Sequence, residues 1–149
     1  MKLIELNCIL RLYESNFRNL HWNSAGENFD GAHKEITTDY YEMLGTTIDE
    51  TAEIIAMLGE NAPNYIETYK IIESSDKHHL LVDSNKLYSR KDVINYANIM
   101  LNDICELLVE VLEDDIIDED ANAGIRSKLE DILYDYTLQA RYINKRRTM

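Results

Sequence analysis

The chain has 149 residues, 45% of them apolar, and its 28 acidic against 15 basic side chains give a formal net charge of −13. This length and composition are typical of one globular domain, residues 1–149, with its own core. The charge opposes binding to nucleic acid or anionic membranes by simple attraction, and the absence of an apolar run of about 18 residues excludes a predicted transmembrane helix.

The first predicted helix lies within residues 2–22. Its apolar side chains recur at intervals of three and four residues, which is typical of an amphipathic helix in a bundle. These side chains are Leu3, Leu6, Leu10, Tyr13, Phe17 and Leu20. Gly26 is a natural helix stop, and His21 is expected just past the end of the helix.

The second predicted helix runs from about residue 30 to residue 58, with Asn28 or Asp30 as candidate caps. One face carries Ile36, Tyr40, Met43, Thr47, Thr51, Ile55 and Leu58. Gly45 lies inside this helix at a cost of about 1 kcal/mol relative to alanine. We therefore expect another backbone to approach closely at Gly45, or the helix to be distorted there.

Residues 60–89 are predicted to form a long crossover that contains a short helix at 65–72. The polar segment that follows is expected to be loop. Its adjacent histidines, His78 and His79, could bind a metal ion, but we expect them to be ordinary solvated loop residues. A crossover of this length allows the second and third long helices to run parallel, as they do in ferritin-like bundles.

Two further amphipathic helices complete the chain. The third begins at Ser89 or Asp92 and extends to about residue 115, and the fourth runs from about residue 121 to residue 145. The sequence thus predicts an all-α fold, a ferritin-like four-helix bundle with a short extra helix in the crossover. Cys8 and Cys105 occupy apolar helical positions, so we expect buried free thiols in a reducing cytosol rather than a disulfide. The acid and amide at the N-terminus are unlike a signal peptide, which agrees with a cytoplasmic protein.

Four potential metal ligands stand out in the first two helices: His21, His33, Asp49 and Glu53. Imidazole and carboxylate are ligand types that suit a divalent first-row metal such as iron or zinc. Asp49 and Glu53 share one helical face, but His33 and Asp49 are separated by about 24 Å of helix. One ion can therefore join all four only if a second chain runs antiparallel to the first across a two-fold axis.

The spacing of these residues resembles the Dps family, the ferritin-like miniferritins named as DNA-binding proteins from starved cells. The similar pattern is His21-Trp22-Asn23, then Asn28-Phe29, then His33, and later Asp49-Glu50-x-Ala52-Glu53. The resemblance is strongest over residues 17–63.

Membership of this family would imply a shell of twelve subunits, built from two-fold dimers, that oxidises Fe(II) with hydrogen peroxide or oxygen and stores the ferric mineral. His21 and His33 would come from one subunit, and Asp49 and Glu53 from its mate. Trp22 is a core or interface aromatic by default, whereas in the family an aromatic here lies near the metal. Acidic residues near the start of the last helix would line three-fold pores, and Asp118, Glu119 and Asp120 are the candidates in this chain. The alternative is that these residues form only a solvated turn between helices.

The chain departs from the family pattern at two points. Thr37 stands where the family has an aspartate four residues after the second histidine. One extra residue also separates His33 from the carboxylate pair, which turns an α-helix by about 100°. Either a π-bulge between His33 and Asp49 absorbs this residue, or the ligands are out of register.

Three functions remain open from these observations. The first is an iron-oxidising and iron-storing shell, in which neutral imidazoles are needed and binding weakens toward acidic pH. The second is a non-enzymatic assembly that kept the bundle and lost the metal chemistry. The third is a bundle that binds zinc or manganese in the same site. DNA binding is not expected, because the one basic cluster, at the C-terminus, complements the negative end of the last helix.

Overall fold

The computed structural model describes residues 1–77 and 79–149, and it confirms the all-α, ferritin-like four-helix bundle. Within those residues the one β-type pairing is an isolated parallel bridge between Ser24 and Tyr88. The helical elements, in chain order, are α1 (Lys2–Asn23), a π-helix (Gly31–Thr37), α2 (Thr38–Met57), α3 (Tyr65–Glu73), α4 (Arg90–Leu112), α5 (Asp115–Asp118), a short 3-10 helix (Asp120–Asn122), α6 (Ala123–Leu138), a second π-helix (Gln139–Ile143) and α7 (Asn144–Arg146).

The long helices have the directions that the crossover predicts. The backbone amide of Tyr88 donates to the carbonyl of Asn23 at 2.8 Å, and the amide of Ala25 donates to the carbonyl of Tyr88 at 2.9 Å. The start of α4 therefore lies beside the end of α1, which is also where the chain turns back toward α2. As a result α2 and α4 run parallel to each other and antiparallel to α1.

The core is built from the apolar stripes of the four long helices. All six predicted positions of α1, from Leu3 to Leu20, are at most 1% exposed. Two hydrogen bonds between buried polar side chains join the helices: the Asn7 side-chain amide nitrogen donates to Thr51 Oγ1 at 2.9 Å, and the hydroxyls of Thr47 and Tyr136 lie 2.8 Å apart. These bonds fix the register of α2 against α1 and α6, because an unpaired buried polar group is costly.

Both candidate start residues of the third long helix take part in one cap. The Ser89 side chain accepts a hydrogen bond from the amide of Asp92, and the Asp92 carboxylate accepts one from the amide of Ser89. This reciprocal arrangement satisfies two amides that the first helical turn leaves without partners.

The expectation that His79 is a solvated loop residue is wrong. The residue is 8% exposed, and its Nδ1 lies 2.9 Å from the Asp103 carboxylate on α4, while Nε2 lies 3.2 Å from the Ser75 hydroxyl. Tyr13 of α1 donates to the same carboxylate. Burial and this hydrogen bond raise the pKa of the Tyr13 hydroxyl. The prediction for His78 lies outside the described residues.

The prediction for Gly45 finds no support within one chain. A Cβ placed on Gly45 would meet nothing within 4 Å, so no backbone of the same described chain packs closely there. The distortion of this helical stretch lies earlier, in the π-helix Gly31–Thr37.

Cys8 is buried and Cys105 is half-buried, and both carry free thiols, so only Cys8 is as enclosed as expected. Among residues 1–77 and 79–149, no helix combines the length and apolar character needed to cross a bilayer.

Candidate metal centre

The first two candidate ligands meet where α1 ends and the next helical stretch begins. His21 lies in the last turn of α1, rather than just past its end, and His33 lies in the π-helix Gly31–Thr37. Their imidazole rings stack with centroids 3.7 Å apart and planes 14° from parallel. The fold therefore brings together two metal-ligating side chains that are twelve residues apart in sequence.

Each imidazole is oriented by the backbone of the other residue. His21 Nδ1 lies 2.9 Å from the carbonyl oxygen of His33, and His33 Nδ1 lies 2.9 Å from the carbonyl oxygen of His21. A carbonyl oxygen only accepts, so both Nδ1 atoms carry the hydrogen and donate it. In the neutral rings both Nε2 atoms then have free lone pairs, which is the state in which imidazole binds a metal ion.

Aromatic side chains enclose the histidine pair. Phe29 stacks on His33 with ring centroids 5.0 Å apart, and Tyr41 meets the ring of His21 edge to face at 5.4 Å. Burial lowers the pKa of His21 below its usual value, and the neighbouring His33 and Arg18 act in the same direction, against the hydrogen bond to the His33 carbonyl. His21 is therefore neutral at neutral pH, as metal binding requires.

Two threonine hydroxyls complete the surroundings of His21. Thr37, which stands in place of the family's aspartate, is fully buried, and its Oγ1 lies 2.9 Å from both His21 Nδ1 and the His33 carbonyl oxygen. The Thr38 hydroxyl donates to the same carbonyl at 2.9 Å and lies 3.4 Å from His21 Nδ1. The position of the missing carboxylate is thus filled by a hydroxyl that contacts the back of the imidazole.

The π-helix Gly31–Thr37 corresponds to the first of the two predicted alternatives, in which a π-bulge absorbs the extra residue between His33 and Asp49. It spans Gly31–Thr37, includes His33, and passes directly into the regular helix α2 well before Asp49. A π-bulge accommodates one added residue and leaves the helix on either side of it regular. The register of His33 with the carboxylates of a second chain stays a prediction.

Asp49 and Glu53 do not reach the histidines of their own chain. Both are exposed on α2, on the same face as Met57, which is 68% exposed. The described residues contain no group of three or more His, Cys, Asp and Glu side chains able to hold a metal ion within one chain. The four-ligand site therefore still requires a second chain, as the helix length dictates.

Two other candidate positions are exposed. Trp22 is 66% exposed, so it is not a core residue of the single chain, which leaves its interface role as a prediction. Asp118, Glu119 and Asp120 are also exposed, just before α6, and Asp118 lies 3.6 Å from the guanidinium of Arg126. Their role in a pore is likewise a prediction.

Sequence reasoning treated Thr37 only as a missing acid and did not identify Thr38. The sequence held a signal for their role. Thr37 and Thr38 follow His33 by four and five positions, in a helix that has one residue more than the Dps spacing. In an α-helix residue 38 would point away from the carbonyl of residue 33. In a π-helix, where hydrogen bonds join residues five apart, it returns to that carbonyl.

The helix order, the parallel α2 and α4, and the histidine pair at the end of α1 define a ferritin-like four-helix-bundle protein. Two solved structures share this fold. Helicobacter cinaedi CAIP has a TM-score of 0.82 and 17% identity, and the match covers 99% of this chain and 97% of that one. A Vibrio cholerae Dps protein, described as a member of a broad superfamily of ferritin-like diiron-carboxylate proteins, has a TM-score of 0.80 and 17% identity, and the match covers 99% of this chain and 87% of that one. No protein-family model matches the sequence.

The DNA protection during starvation protein of Porphyromonas gingivalis is 30% identical over 110 residues, which cover 73% of this chain and 69% of that protein. The chain belongs to the Dps family.

Proposed function

We propose that this protein is a Dps-type miniferritin, which binds and oxidises Fe(II) at sites shared between two chains and stores ferric iron inside a hollow shell. The observation that carries the proposal is the stacked pair His21 and His33, each with Nδ1 tied to a carbonyl and Nε2 free. The family membership supports it, since a relative carries the name DNA protection during starvation protein.

The donor set fits Fe(II). Imidazole and carboxylate are ligands that suit divalent iron, and His21 and His33 offer two imidazoles on one surface. Asp49 and Glu53 of a second chain would complete the site and neutralise the charge of the ion. Because the two chains of such a dimer are related by a two-fold axis, the same pairing forms a second site at an equivalent position.

In the proposed reaction Fe(II) is the substrate and hydrogen peroxide or oxygen the oxidant. With peroxide, two Fe(II) ions each give up one electron, the O–O bond breaks, and two protons are taken up to form two waters. The chain's part is to hold Fe(II) on neutral imidazole nitrogens and carboxylates during electron transfer. Ferric iron then moves toward acidic side chains within the shell, and this consumption of peroxide is the proposed protection.

The acidic segment before α6 is the proposed entry route. Asp118, Glu119 and Asp120 are exposed and adjacent, so three copies around a three-fold axis would form a negative ring that attracts cations. We place the protein in the cytoplasm, where the free thiols Cys8 and Cys105 remain reduced.

The decisive experiment measures Fe(II) oxidation by the full-length protein with peroxide, under anaerobic conditions, from the absorbance of the ferric product. We expect the wild-type chain to exceed the buffer rate. His21→Ala, His33→Ala and the double variant Asp49→Asn/Glu53→Gln should each lose most of this excess, because each removes ligands from the same site. Asp76→Asn changes an exposed carboxylate in the crossover, outside α1 and α2, and should keep the wild-type rate.

A wild-type rate equal to that of buffer, or rates unchanged by both histidine substitutions, would refute the proposed oxidation. Mixing the His33→Ala chain with the Asp49→Asn/Glu53→Gln chain adds a test of the shared site. Hybrid dimers contain one intact site, so the mixture should recover part of the rate that each parent lacks.

A second candidate function is a shell that assembles without iron oxidation, and Thr37 is the observation in its favour. A buried hydroxyl replaces the family's aspartate beside His21, so the site has one carboxylate fewer than that pattern. Zinc or manganese in the same site is a further alternative. Metal-binding titrations separate these readings: the assembly role predicts no stoichiometric binding of Fe(II), Zn(II) or Mn(II), whereas a zinc or manganese site predicts binding without oxidation of Fe(II).

DNA binding is not part of the proposal. The net charge of −13 repels the phosphate backbone. Of the C-terminal basic side chains, Arg146 stacks over the ring of Tyr142 at 4.5 Å, and Arg147 donates to the hydroxyl of Tyr40 at 2.8 Å. Two cations of that cluster are therefore engaged within the chain.

A further inference from the structure

Thr37 differs from the threonines in the later turns of α2 in having a histidine ring as its second partner. Thr46, Thr47 and Thr51 each donate to the carbonyl four residues earlier. Thr37 makes the same bond, to the His33 carbonyl, but its oxygen also lies 2.9 Å from His21 Nδ1. The side chain is fully buried, so water does not compete for these contacts.

The π-helix makes the arrangement possible. Its hydrogen-bond repeat of five residues brings the Thr38 hydroxyl to the same carbonyl that Thr37 contacts from four residues away, each at 2.9 Å. That carbonyl also accepts from His21 Nδ1. One oxygen thus receives three donors, and the Thr37 oxygen offers the imidazole hydrogen a second acceptor.

We propose that Thr37 is a positioning residue, whose hydroxyl acts together with the His33 carbonyl to hold the His21 ring in place as the Nδ1–H tautomer, with Nε2 presented to a metal ion before any metal arrives. The inference rests on the proposed function for the identity of what binds at Nε2. The mechanism is the one by which outer ligands of metal sites act: they fix the tautomer and orientation of an imidazole, and their loss lowers metal affinity about 10–100-fold.

This role differs from that of the aspartate it replaces. A carboxylate in this position could bind a metal directly, whereas the buried hydroxyl faces the Nδ1 side of His21, opposite the free Nε2. The change of residue therefore exchanges a candidate ligand for a group that acts through His21. Within the described part of one chain, the proposed half-site then consists of the two imidazoles, and its carboxylate ligands come from the second chain.

The test uses Zn(II), which binds imidazole and carboxylate and undergoes no oxidation. Thr37→Val keeps the size of the side chain and removes the hydroxyl. We expect its Zn(II) dissociation constant to rise by about tenfold or more. Thr37→Ser should restore the wild-type value, and Thr46→Val, which removes an exposed hydroxyl that bonds only its own helix, should leave it unchanged.

The second readout is the tautomer of His21 in the metal-free assembly, from solid-state NMR of protein labelled with ¹⁵N in its histidines. The wild-type ring should show a protonated Nδ1 and a bare Nε2. Thr37→Val keeps the His33 carbonyl but loses the second acceptor, so it should show a smaller share of the Nδ1–H tautomer, which Thr37→Ser should restore. The proposal is overturned if Thr37→Val has the wild-type NMR signals and the wild-type affinity for Zn(II). It is also overturned if Thr37→Val differs from the wild type and Thr37→Ser differs in the same way.

If Thr37→Val does not fold, Thr37→Ala removes the hydroxyl without adding a methyl group in its place and gives the same two readouts. Failure of the proposed function is distinguishable from failure of this inference. A wild-type protein that binds neither Zn(II) nor Fe(II) refutes the metal site, while the metal-free NMR signals still decide whether Thr37 sets the tautomer.

Discussion

At the scale of single residues, Thr37 allows the difference between the hydroxyl and the family's carboxylate to be tested. In Thr37→Asp a carboxylate would replace the hydroxyl that lies 2.9 Å from His21 Nδ1. An opposite charge at this distance favours the imidazolium form, so the pKa of His21 should rise from its lowered value to above its ordinary value near 6.5. NMR titration of the His21 ring protons measures the change.

The same substitution reverses the pH dependence of stability. In the wild-type protein His21 has a lowered pKa, so the unfolded chain takes up its proton first, and its contribution to stability is lost as pH falls below the unfolded value. In Thr37→Asp the raised pKa makes the contribution present at low pH and lost as pH rises through the folded value. Between pH 5 and about 8, the contribution of His21 to the free energy of unfolding should rise with pH in the wild type and fall with pH in Thr37→Asp. Parallel slopes would contradict the prediction.

His79 is a buried polar residue outside the metal centre whose substitution should be costly. It joins the crossover to α4 through Asp103 and to Ser75, and Tyr13 of α1 shares the same carboxylate. His79→Ala leaves a buried cavity and a carboxylate without its imidazole partner, so we expect a loss of about 2 kcal/mol or more.

Denaturant unfolding at matched protein concentration measures this loss, since assembly adds to apparent stability. A double-mutant cycle with Asp103→Asn should give a coupling of about 1 kcal/mol, because both changes break the same bond. Additive effects of the two substitutions would show that the contact contributes nothing. Fe(II) oxidation should be unaffected in the part of the sample that remains folded, because His79 lies outside the histidine pair.

At the scale of secondary structure, the π-helix Gly31–Thr37 is the element that distinguishes this chain from the family pattern. Lys34 is exposed within it. Deletion of Lys34 should convert the segment to regular α-helix, because a π-bulge is an α-helix with one added residue. We expect the thermal midpoint to be no lower than that of the wild type, and the shorter spacing to match that of the family.

The matched control is deletion of Thr46, an exposed residue in the regular part of α2. There no extra residue is present to absorb the loss, so all later side chains turn by about 100° and the core stripe is displaced. Circular dichroism should show this variant unfolded or strongly destabilised. Equal destabilisation by the two deletions would mean that the π segment is packed as specifically as an ordinary turn.

At the scale of the whole molecule, the proposed site fixes how two chains would meet. Pairing of His33 with Asp49 and Glu53 of a second chain puts the two-fold axis near residues 41–43, halfway between them. Gly45 lies close to that point, and the space above its Cα is open in the single chain. We expect the approach of the second α2 to account for the presence of a glycine inside this helix.

Gly45→Leu should therefore separate the dimer, while Thr46→Leu, on the side of α2 that faces Lys128 and Tyr136, should not. Light scattering after size-exclusion chromatography measures the mass, for which the proposed shell of twelve chains predicts about 209 kDa, twelve times 17.4 kDa. A Gly45→Leu protein of wild-type mass would place the axis elsewhere. A wild-type mass near that of two chains would refute the shell but not the shared site, which needs only two chains.

The sequence by itself determined the four long helices, the crossover helix and the identity of the histidine pair. These features depend on residues three and four apart, or on one short motif, and such local patterns are legible along the chain. The apolar stripe of α1, which was predicted from such a pattern, is entirely buried in the structure. The extra residue before Asp49 could also be found from the sequence, by comparing the spacing between His33 and Asp49 with that of the Dps family.

Only the tertiary structure decided how the extra residue is absorbed, what Thr37 and Thr38 contact, and that His79 is buried. Each of these outcomes depends on groups brought together from distant parts of the chain: His21 meets Thr37 from 16 residues away, and His79 meets Tyr13 from 66. The positions of polar side chains between helices follow from the packing of those helices, because buried donors and acceptors must find partners there. No periodicity along the sequence specifies such partners.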